Sequence, residues 1–275
     1  MNAIKHWKRY LLAVMFAAGS VSAHADDLLS RVKKQGELAV GTEMQFAPFD
    51  FIENGQQAGF NKDLFAAVGK IIGVKVRFID LPWDSVLPGL DAGKFDMVAG
   101  PLTVTKARME RYAFTSPIAD ATDALLKRAN DASITKSADI AGKTVGAQKS
   151  SAQNAQLKTY AETLKPGVTV REYVDNNQAY ADLASGRLNA VANSLTNIAY
   201  VAKQRPNVFA VVQPPFGSAV YFAYCMRKDA DSQSLNAAFN DALATLGKNG
   251  ELASLQKKWF GVAVDLPAAM PTPAY

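Results

Sequence analysis

The feature that most constrains the fold of this chain is a short internal repeat. Residues 87 to 99 read LPGLDAGKFDMVA, and residues 180 to 192 read YADLASGRLNAVA. In both copies a helical segment ends at a glycine, Gly93 or Gly186, and a basic residue, an apolar residue, an Asp or Asn and a short apolar strand follow. Glycine is the usual residue where a helix ends in a left-handed conformation. The repeat therefore predicts two units of similar construction.

Each copy of the repeat lies within an alternation of predicted strands and helices. The first series has strands at Glu37–Thr42, Val74–Ile79 and Met97–Ala99 and helices at Leu64–Ile72 and Trp83–Ala92. The second series has strands at Thr144–Ala147, Val168–Tyr173 and Ala190–Ala192 and helices at Ala152–Thr163, Gln178–Ser185 and Leu195–Gln204. Such alternation is typical of parallel sheets covered by helices. We expect an α/β protein with two lobes, each a mainly parallel sheet flanked by helices.

The first 25 residues have the composition of a secretory signal peptide. Three basic residues in MNAIKHWKRY precede the apolar run LLAVMFAAG, and Ala23-His24-Ala25 offers a cleavage site between small residues. The apolar run is too short to cross a bilayer comfortably. We therefore predict a cleaved signal peptide at residues 1–25 and an exported, periplasmic mature chain that begins near Asp26.

Without that leader, the composition argues against several classes of function. The leader holds three of the 30 basic residues and none of the 25 acidic ones, so the net charge falls from +5 to +2, which gives little support for a nucleic-acid partner. It also holds both histidines, which excludes Ser-His-Asp and Cys-His catalysis and histidine-ligated metals. Cys225, in the apolar run AVYFAYCMRK, is expected to be buried and inert. We predict neither a metal nor a cofactor.

Two short segments directly follow the repeated strands. Residues 100–103 (GPLT) come after the first strand, and Asn193-Ser194 comes after the second. Ligands of open α/β sheets bind beyond the carboxyl ends of the strands, so we expect both segments to be loops that meet across a cleft. The carbonyl of Gly100 or Pro101 can accept a hydrogen bond from an ammonium group, and Thr103 supplies a hydroxyl and a backbone N–H.

Arg108 ends the motif GPLTVTKAR, which begins at the first of these segments. Its planar guanidinium matches the two oxygens of a carboxylate. Together with Thr103 it predicts a clamp for a small carboxylate. The alternative is that Arg108 belongs to a surface helix and forms a solvated ion pair.

Five motifs together carry a family resemblance. They are GTEMQFAPFDF, GFNKDL, LPWDSVLPGL, FDMVAGPLTVTKARMERYAFTSPI and ALATLGKNGELASLQKKWFG. In order and spacing they resemble the bacterial extracellular solute-binding proteins of family 3, the polar amino acid receptors of ABC importers. The resemblance extends from about Glu37 to Phe260 and therefore covers nearly all of the predicted mature chain.

The resemblance implies a two-lobed fold in which two strands cross between the lobes, near Ala119–Ala124 and Ser218–Tyr224. The first lobe would comprise residues 26–121 and 221–275, and the second lobe residues 122–220. The tail DLPAAMPTPAY is rich in Pro and Ala, and we expect it to lie loose on the surface.

The resemblance also implies which residues contact the ligand. The matched positions are Glu43, Phe46, Trp83, Gly100, Pro101, Thr103, Arg108, Ser150, Ser151, Asn193 and Ser194. Phe46 and Trp83 would cover the ligand from opposite sides, although ordinary core packing is the alternative for both. Glu43 would meet the ligand's side chain. Ser150 and Ser151 would add donors to a carboxylate, because a helix N-terminus favours an anion.

Two positions depart from the family pattern. Asn61 and Lys62 in GFNKDL replace an acidic and an apolar residue, which we interpret as variation at a helix start. Ser194 stands where the family commonly has an Asp or Glu that holds the α-ammonium group of the ligand. An unpaired ammonium in a closed cleft would be costly. Either Glu43 or backbone carbonyls compensate, or the ligand is not a plain α-amino acid.

By resemblance, then, the chain is a monomeric receptor, not an enzyme. It would capture an amino acid or related small carboxylate by hinge closure and deliver it to an ABC-transporter permease. One alternative is a receptor for an opine or an organic acid. Another is an exported enzyme similar to cyclohexadienyl dehydratases, with Glu43 or Glu172 as the proton donor.

Overall fold

The computed structural model describes residues 26–275, so the predicted signal peptide at residues 1–25 lies outside the described residues. The strands of this range are β1 (Glu37–Thr42), β2 (Gln45–Phe46), β3 (Asp50–Glu53), β4 (Gln56–Ala58), β5 (Lys75–Asp80), β6 (Met97–Thr103), β7 (Tyr112–Phe114), β8 (Ala119–Asp120), β9 (Asp123–Arg128), β10 (Thr144–Gln148), β11 (Thr169–Tyr173), β12 (Ala190–Ser194), β13 (Phe209–Val212) and β14 (Tyr221–Arg227). The helices are α1 (Leu28–Gln35), α2 (Phe60–Ile72), α3 (Trp83–Asp91), α4 (Lys106–Arg111), α5 (Ala152–Glu162), α6 (Asn176–Ala184), α7 (Leu195–Gln204), α8 (Gln233–Lys248) and α9 (Glu251–Phe260), with a 3₁₀ turn at Ser137–Ile140. None of these helices is long and apolar enough to span a membrane.

The first lobe is built on a sheet with the strand order β5-β1-β6-β14-β7, in which β8 also pairs with β14. β5 and β6 run parallel to β1. β14 is antiparallel to β6, β7 and β8, so the chain returns to this sheet late in the sequence. A small antiparallel sheet of β2, β3 and β4 lies next to α2.

The second lobe is built on a sheet with the order β11-β10-β12-β9-β13. β11 and β12 run parallel to β10, and β9 is antiparallel to β12 and β13. The two sheets therefore repeat one arrangement, with a parallel strand on each side of the first strand and an antiparallel strand beyond. Mainly parallel sheets flanked by helices are confirmed in both lobes.

The predicted strands and helices are all present, with ends shifted by up to four residues. Gly93 and Gly186 follow α3 and α6 with φ of 68° and 83°. These are left-handed conformations that suit glycine. The predicted role of both repeat glycines is thus confirmed.

The Asp and Asn of the two repeat copies have equivalent structural roles. Oδ2 of Asp96 accepts a hydrogen bond from the backbone N–H of Ala39 at 2.9 Å, within β1. Oδ1 of Asn189 accepts one from the backbone N–H of Thr144 at 3.0 Å, at the start of β10. Each side chain therefore joins the start of its own strand to the first strand of its lobe's sheet, β1 or β10.

The apolar residue before each of these side chains packs on a glycine of the neighbouring strand, β1 or β10. A Cβ added to Gly41 would lie 2.3 Å from Cζ of Phe95, and a Cβ added to Gly146 would lie 2.6 Å from Cδ1 of Leu188. Only glycine leaves room for the side chain at either place. The repeat is thus the sequence of one packing unit used twice.

Apolar side chains cover both faces of both sheets. In the first lobe, the core on the side of α2 and α8 includes Leu38, Phe65 and Phe239. The core on the side of α3 includes Val86, Leu90 and Phe95. In the second lobe, the core on the side of α6 and α7 includes Tyr180, Val191 and Ile198. The core on the side of α5 includes Val145, Leu157 and Ala192. Cys225 is fully buried in the first lobe, which confirms the expected burial, and burial raises the pKa of its thiol.

The expectation of two loops after the repeated strands is wrong, because both segments are strand. β6 continues to Thr103, which pairs with Phe222 of β14, and β12 continues to Ser194. Pro101 is tolerated because β1 pairs with β6 only as far as Val98, so no ladder partner on that side needs its missing N–H. The cleft is therefore edged by strand ends rather than by loops.

The expectation of a loose tail is also wrong. The tail segment, residues 265–275, lies along the first lobe, where Oγ of Ser116 donates to the carbonyl of Ala268 at 3.1 Å and the N–H of Lys106 donates to the carbonyl of Tyr275 at 2.8 Å. The phenol of Tyr275 donates to Oδ2 of Asp123 at 3.0 Å. Because Pro-rich backbone cannot form a helix of its own, its carbonyls are available to donors on the lobe.

Candidate ligand-binding cleft

A cavity between the two lobes brings together residues from distant parts of the chain. The space inside it that a water-sized sphere can occupy is about 20 Å³, so the two lobes are nearly closed on each other. Its lining residues are Glu43, Phe46, Trp83, Gly100, Pro101 and Phe222 from the first lobe and Gln148, Ser151 and Gln153 from the second. A mostly apolar wall with a few polar groups is typical of small-molecule sites.

Aromatic side chains form the wall on the first lobe. Phe46 and Phe222 meet edge to face, with ring centroids 5.9 Å apart. A Cβ on Gly100 would lie 3.3 Å from Cζ3 of Trp83, so the glycine allows the indole to lie against the strand. Phe46 and Trp83 line the same cavity, as expected of two aromatic covers.

Glu43 lies at one end of the cavity and is almost fully buried. Nε2 of Gln148, from the second lobe, lies 2.7 Å and 2.8 Å from the two carboxylate oxygens. Burial raises the pKa of Glu43 to about 7, although the hydrogen bonds from Gln148 and from the backbone N–H of Trp83 lower it. Asp175 and Asp80 raise that pKa further by repulsion. The Glu43–Gln148 contact is a polar link between the lobes.

Gln148 continues into a buried chain of hydrogen bonds. Its members in order are Gln148, Asn176, Asn193, Tyr180, Asn197 and the carbonyl of Ala47. The chain begins at Glu43 of the first lobe, crosses the second lobe and returns to the first at Ala47. Every member is a neutral amide, phenol or carbonyl with its partner in place, so the contact between the lobes is specified by hydrogen bonding at two points.

The first turn of α5 meets the first lobe at a second place. Nε2 of Gln153 donates to Oγ1 of Thr103 at 3.1 Å. Ser151 caps the helix, since its Oγ accepts from the N–H of Asn154 at 3.0 Å. The N-terminus of α5 therefore faces the end of β6 across the cleft, and its free N–H groups favour an anion there.

Arg108 extends from α4 toward the same place. Its guanidinium donates to the carbonyl of Thr103 at 2.9 Å. Burial lowers the pKa of Arg108, and the side chain forms no salt bridge within residues 26–275. Arg108 does belong to a surface helix, since α4 has no buried residue, but it forms no solvated ion pair within the described residues. A half-buried cation without a counter-ion therefore lies at this end of the cleft.

Five of the predicted site residues do not line the cavity: Thr103, Arg108, Ser150, Asn193 and Ser194. Ser150 is exposed, with φ of 63°, one residue before the cap of α5. Ser194 is fully buried, and its Oγ caps α7 by accepting from the N–H of Asn197 at 3.4 Å. Asn193 belongs to the hydrogen-bonded chain. Thr103 and Arg108 adjoin the cavity through Gln153.

Three lining residues were not predicted as site residues: Gln148, Gln153 and Phe222. Gln153 lies in the first turn of a helix predicted to bind an anion, so its position was an available signal. Phe222 carried none, because its place depends on the pairing of β14 with β6. Within the described range no group of three or more His, Cys, Asp or Glu side chains could hold a metal ion.

Comparison with known proteins agrees with this architecture. The chain matches the family model of the bacterial extracellular solute-binding proteins, family 3, over residues 38–262. The L-cystine-binding protein TcyJ of Escherichia coli K12 is 32% identical over 258 residues, which cover 92% of this chain and 94% of that protein.

Two solved structures are similar over most of their length. A substrate-binding protein of an ABC uptake transporter from Streptococcus pneumoniae, with bound histidine, has a TM-score of 0.80 at 27% identity and covers 86% of this chain and 98% of its own. An ancestral amino acid-binding protein, AncCDT-1, described as a precursor of cyclohexadienyl dehydratase, has a TM-score of 0.77 at 30% identity and covers 84% and 99%.

Proposed function

The chain belongs to the bacterial extracellular solute-binding proteins, family 3, and we propose that it is the amino acid receptor of an ABC importer. Its fold is the two-lobed α/β fold of periplasmic binding proteins. Its family acts in a periplasmic or extracellular compartment. We assign the chain to the periplasm, reached through the signal peptide predicted at residues 1–25.

The half-buried guanidinium of Arg108 carries this proposal. It lies beside Thr103 and opposite the N-terminus of α5, without a salt bridge in the described chain. A cation that has lost part of its hydration is stabilised when an anion or several acceptors compensate that loss. A ligand carboxylate between Arg108 and the first turn of α5 would supply that anion and bring the lobes together.

The rest of the cavity suits the body of an amino acid. Phe46 and Trp83 would contact its apolar part from two sides, and the carbonyls of Gly100 and Pro101 are acceptors on the same wall. The Glu43–Gln148 pair lies at one end of the cavity, where a side chain with hydrogen-bond donors would contact the carboxylate. The proposed ligand is therefore an α-amino acid with a polar end to its side chain.

The ligand would be held by closure of two lobes, residues 26–121 with 221–275 and residues 122–220. The polar links of Glu43 with Gln148 and of Thr103 with Gln153 join these lobes. Closing would complete both links over the ligand, and a permease would bind the closed shape. We propose that the receptor is a monomer and not a catalyst.

The enzyme alternative has weak chemical support. Glu172 is exposed, and its hydrogen bonds from Lys158, at 2.7 Å, and from Asn154 lower the pKa of its carboxyl, so it is a poor proton donor. Glu43 has a raised pKa, but both its oxygens lie within hydrogen-bond distance of Gln148. Incubation of the protein with prephenate or arogenate should give no aromatic product; formation of one would overturn the proposal.

A thermal-shift screen tests the function directly. The mature protein is heated with each of the common amino acids, with cystine, with opines and with organic acids. A ligand that binds only the native state raises the melting temperature. We expect a rise with at least one α-amino acid, followed by saturable binding in isothermal titration calorimetry. A rise with opines or organic acids alone would refute the amino acid assignment.

A further inference from the structure

Asp123, the first residue of β9, is a buried carboxylate without a counter-charge. Its side chain is fully buried, and it forms no salt bridge in the described part of the chain. Oδ2 accepts a hydrogen bond from the phenol of Tyr275 at 3.0 Å. Oδ1 is buried and has no hydrogen-bond partner within residues 26–275. Such a carboxylate costs free energy until a donor or a cation reaches it.

Asp123 lies directly opposite Ser194 in the antiparallel ladder of β9 and β12. Paired residues have Cα atoms about 5 Å apart and side chains on the same face. Two residues further along the strands, Leu125 and Ala192 pack on that face together with Leu157 of α5. Because side chains alternate between faces, Asp123 lies on the α5 face, at the strand end nearest the cleft.

Arg108 acts on Tyr275, the residue whose phenol is hydrogen-bonded to Asp123. The positive charge of Arg108 lowers the pKa of the Tyr275 phenol, although burial and the Asp123 carboxylate raise that pKa more strongly. The phenol therefore stays protonated and donates a hydrogen bond to Asp123. The Tyr275 phenol is thus hydrogen-bonded to the buried Asp123 and close enough to the half-buried Arg108 for the charge of Arg108 to act on it.

An α-amino acid presents the complementary pair of charges. Its carboxylate and ammonium groups are attached to one carbon, so a carboxylate bound by Arg108 would place the ammonium a few ångströms away. The hydroxyl of Ser194 already caps α7, and Glu43 is engaged by Gln148. We infer that Asp123 receives the ligand's ammonium group, in place of an acidic side chain at position 194, and that Tyr275 is the positioning residue that orients it. This inference rests on the proposed function.

The protonation of Asp123 is consistent with this role. Burial raises the pKa of Asp123 to about 7, the hydrogen bond from Tyr275 lowers it, and the nearby Asp120 carboxylate raises it. An ammonium group beside Oδ1 would favour the ionised carboxylate. The ammonium group of the ligand, and not a cationic side chain of the protein, would then compensate the negative charge of Asp123.

The test compares amino acids with their des-amino analogues. Isothermal titration calorimetry measures the parent and Asp123→Asn with L-arginine and 5-guanidinopentanoate, L-histidine and 3-(imidazol-4-yl)propanoate, and L-cystine and 3,3′-dithiodipropionate. We expect Asp123→Asn to weaken binding of the amino acid by about 30-fold or more. Binding of the matching analogue should change by less than about threefold.

Two further variants separate a charge role from a structural one. Asp123→Asn combined with Ser194→Asp returns a carboxylate to the same face, one strand away, and should recover most of the lost amino acid affinity. Tyr275→Phe removes only the hydroxyl and should weaken the amino acid but not its analogue. The control is Tyr160→Phe, which keeps the ring that stacks on Phe216; it should not change the affinities.

The outcomes are distinguishable. Parent protein that binds none of the amino acids refutes the proposed function, and the role of Asp123 with it. Parent protein that binds an amino acid, with Asp123→Asn binding it equally well, overturns only this inference. So does an equal loss of amino acid and analogue in Asp123→Asn, because that result indicates a structural role. Selective loss with recovery in the double variant supports the inference.

Discussion

Replacement of Arg108 by methionine separates the effects of a half-buried, unpaired charge on ligand binding and on folding. In the structure the guanidinium has one hydrogen-bond acceptor, the carbonyl of Thr103 at 2.9 Å, and no carboxylate within the described residues. Methionine keeps the length and apolar stem of the side chain and removes only the charged end. The substitution should therefore act in opposite directions on ligand binding and on folding.

The loss in binding can be estimated from the geometry. Removal of one partner from a buried, hydrogen-bonded charge pair costs about 2–5 kcal/mol. At about 1.4 kcal/mol for each factor of ten, the affinity of Arg108→Met should fall by about 30-fold to several thousand-fold. A surface arginine in a solvated ion pair would contribute less than about 1 kcal/mol.

Folding stability should change little or increase. The variant loses one charged hydrogen bond, worth about 1.5–3 kcal/mol. Because Arg108 is half-buried, the variant also loses only part of the desolvation cost of a buried cation, which is several kcal/mol for a fully buried ion. The free energy of unfolding measured without ligand should therefore lie within about 1 kcal/mol of the parent value or above it.

The assay combines calorimetric titration with urea denaturation of the same preparations. Arg111→Met is the matched control, because Arg111 lies on the same helix, is exposed and pairs with Asp91 at 3.0 Å. The control should bind like the parent. If Arg108→Met binds the ligand within threefold of the parent, the guanidinium does not contact the ligand and the proposed carboxylate site is wrong.

Three further predictions follow from the cleft and the repeat. Burial raises the pKa of Glu43 from 4.5 to about 7, so between these pH values the native state binds a proton that the unfolded state has lost. The stability that this proton contributes is lost as pH rises through about 7. Glu43→Gln should therefore flatten the fall in the free energy of unfolding between pH 4.5 and 8, and an unchanged slope in urea denaturation would contradict this. Phe46→Leu and Trp83→Leu should each weaken ligand binding by about 1 kcal/mol in titration calorimetry, whereas an unchanged affinity would assign the side chain to the core. Gly41→Ala should destabilise the fold by about 1–3 kcal/mol, since its Cβ would lie 2.3 Å from the Phe95 ring, while Gly247→Ala, with nothing within 4 Å, should not.

The sequence indicates most of the architecture because its repeat is a packing unit. The glycine before each short strand, the apolar residue and the Asp or Asn have definite partners in the structure, and those partners recur in both lobes. Local pattern and tertiary contact agree there, so the strands and helices could be predicted to within a few residues.

The sequence is less informative where a residue's role depends on a distant strand. Pro101 suggested a loop, yet it lies in β6 because β14, more than 100 residues later, supplies the pairing partner. Asn61 was interpreted as variation at a helix start. In the structure its side chain is fully buried and joins Asp50, the carbonyl of Ala99 and the phenol of Tyr224. Neither partner set can be inferred from local composition.

The hydrogen bonds between the lobes also depend on residues that are distant in the sequence. Gln148 and Gln153 are ordinary polar residues beside a predicted helix start, and only the arrangement of the lobes brings them to Glu43 and Thr103. The tail is similar, because its composition predicts disorder while donors on the first lobe fix its carbonyls. A search for chemistry in single motifs therefore finds the walls of the cleft and misses the contacts that close it.

The charges proposed for the ligand site explain why closure would depend on the ligand. The observed links between the lobes are hydrogen bonds, each worth about 0.5–1.5 kcal/mol or somewhat more where a charge is involved. Against them, the structure holds Asp123 fully buried and Arg108 half-buried, each without a counter-ion in the described chain. A zwitterionic ligand supplies one charge for each and turns both desolvation costs into charge-assisted hydrogen bonds. A carboxylate without an ammonium group would compensate only Arg108 and leave Asp123 to take up a proton. The same two residues would thus decide both which ligands bind and whether the closed form is populated.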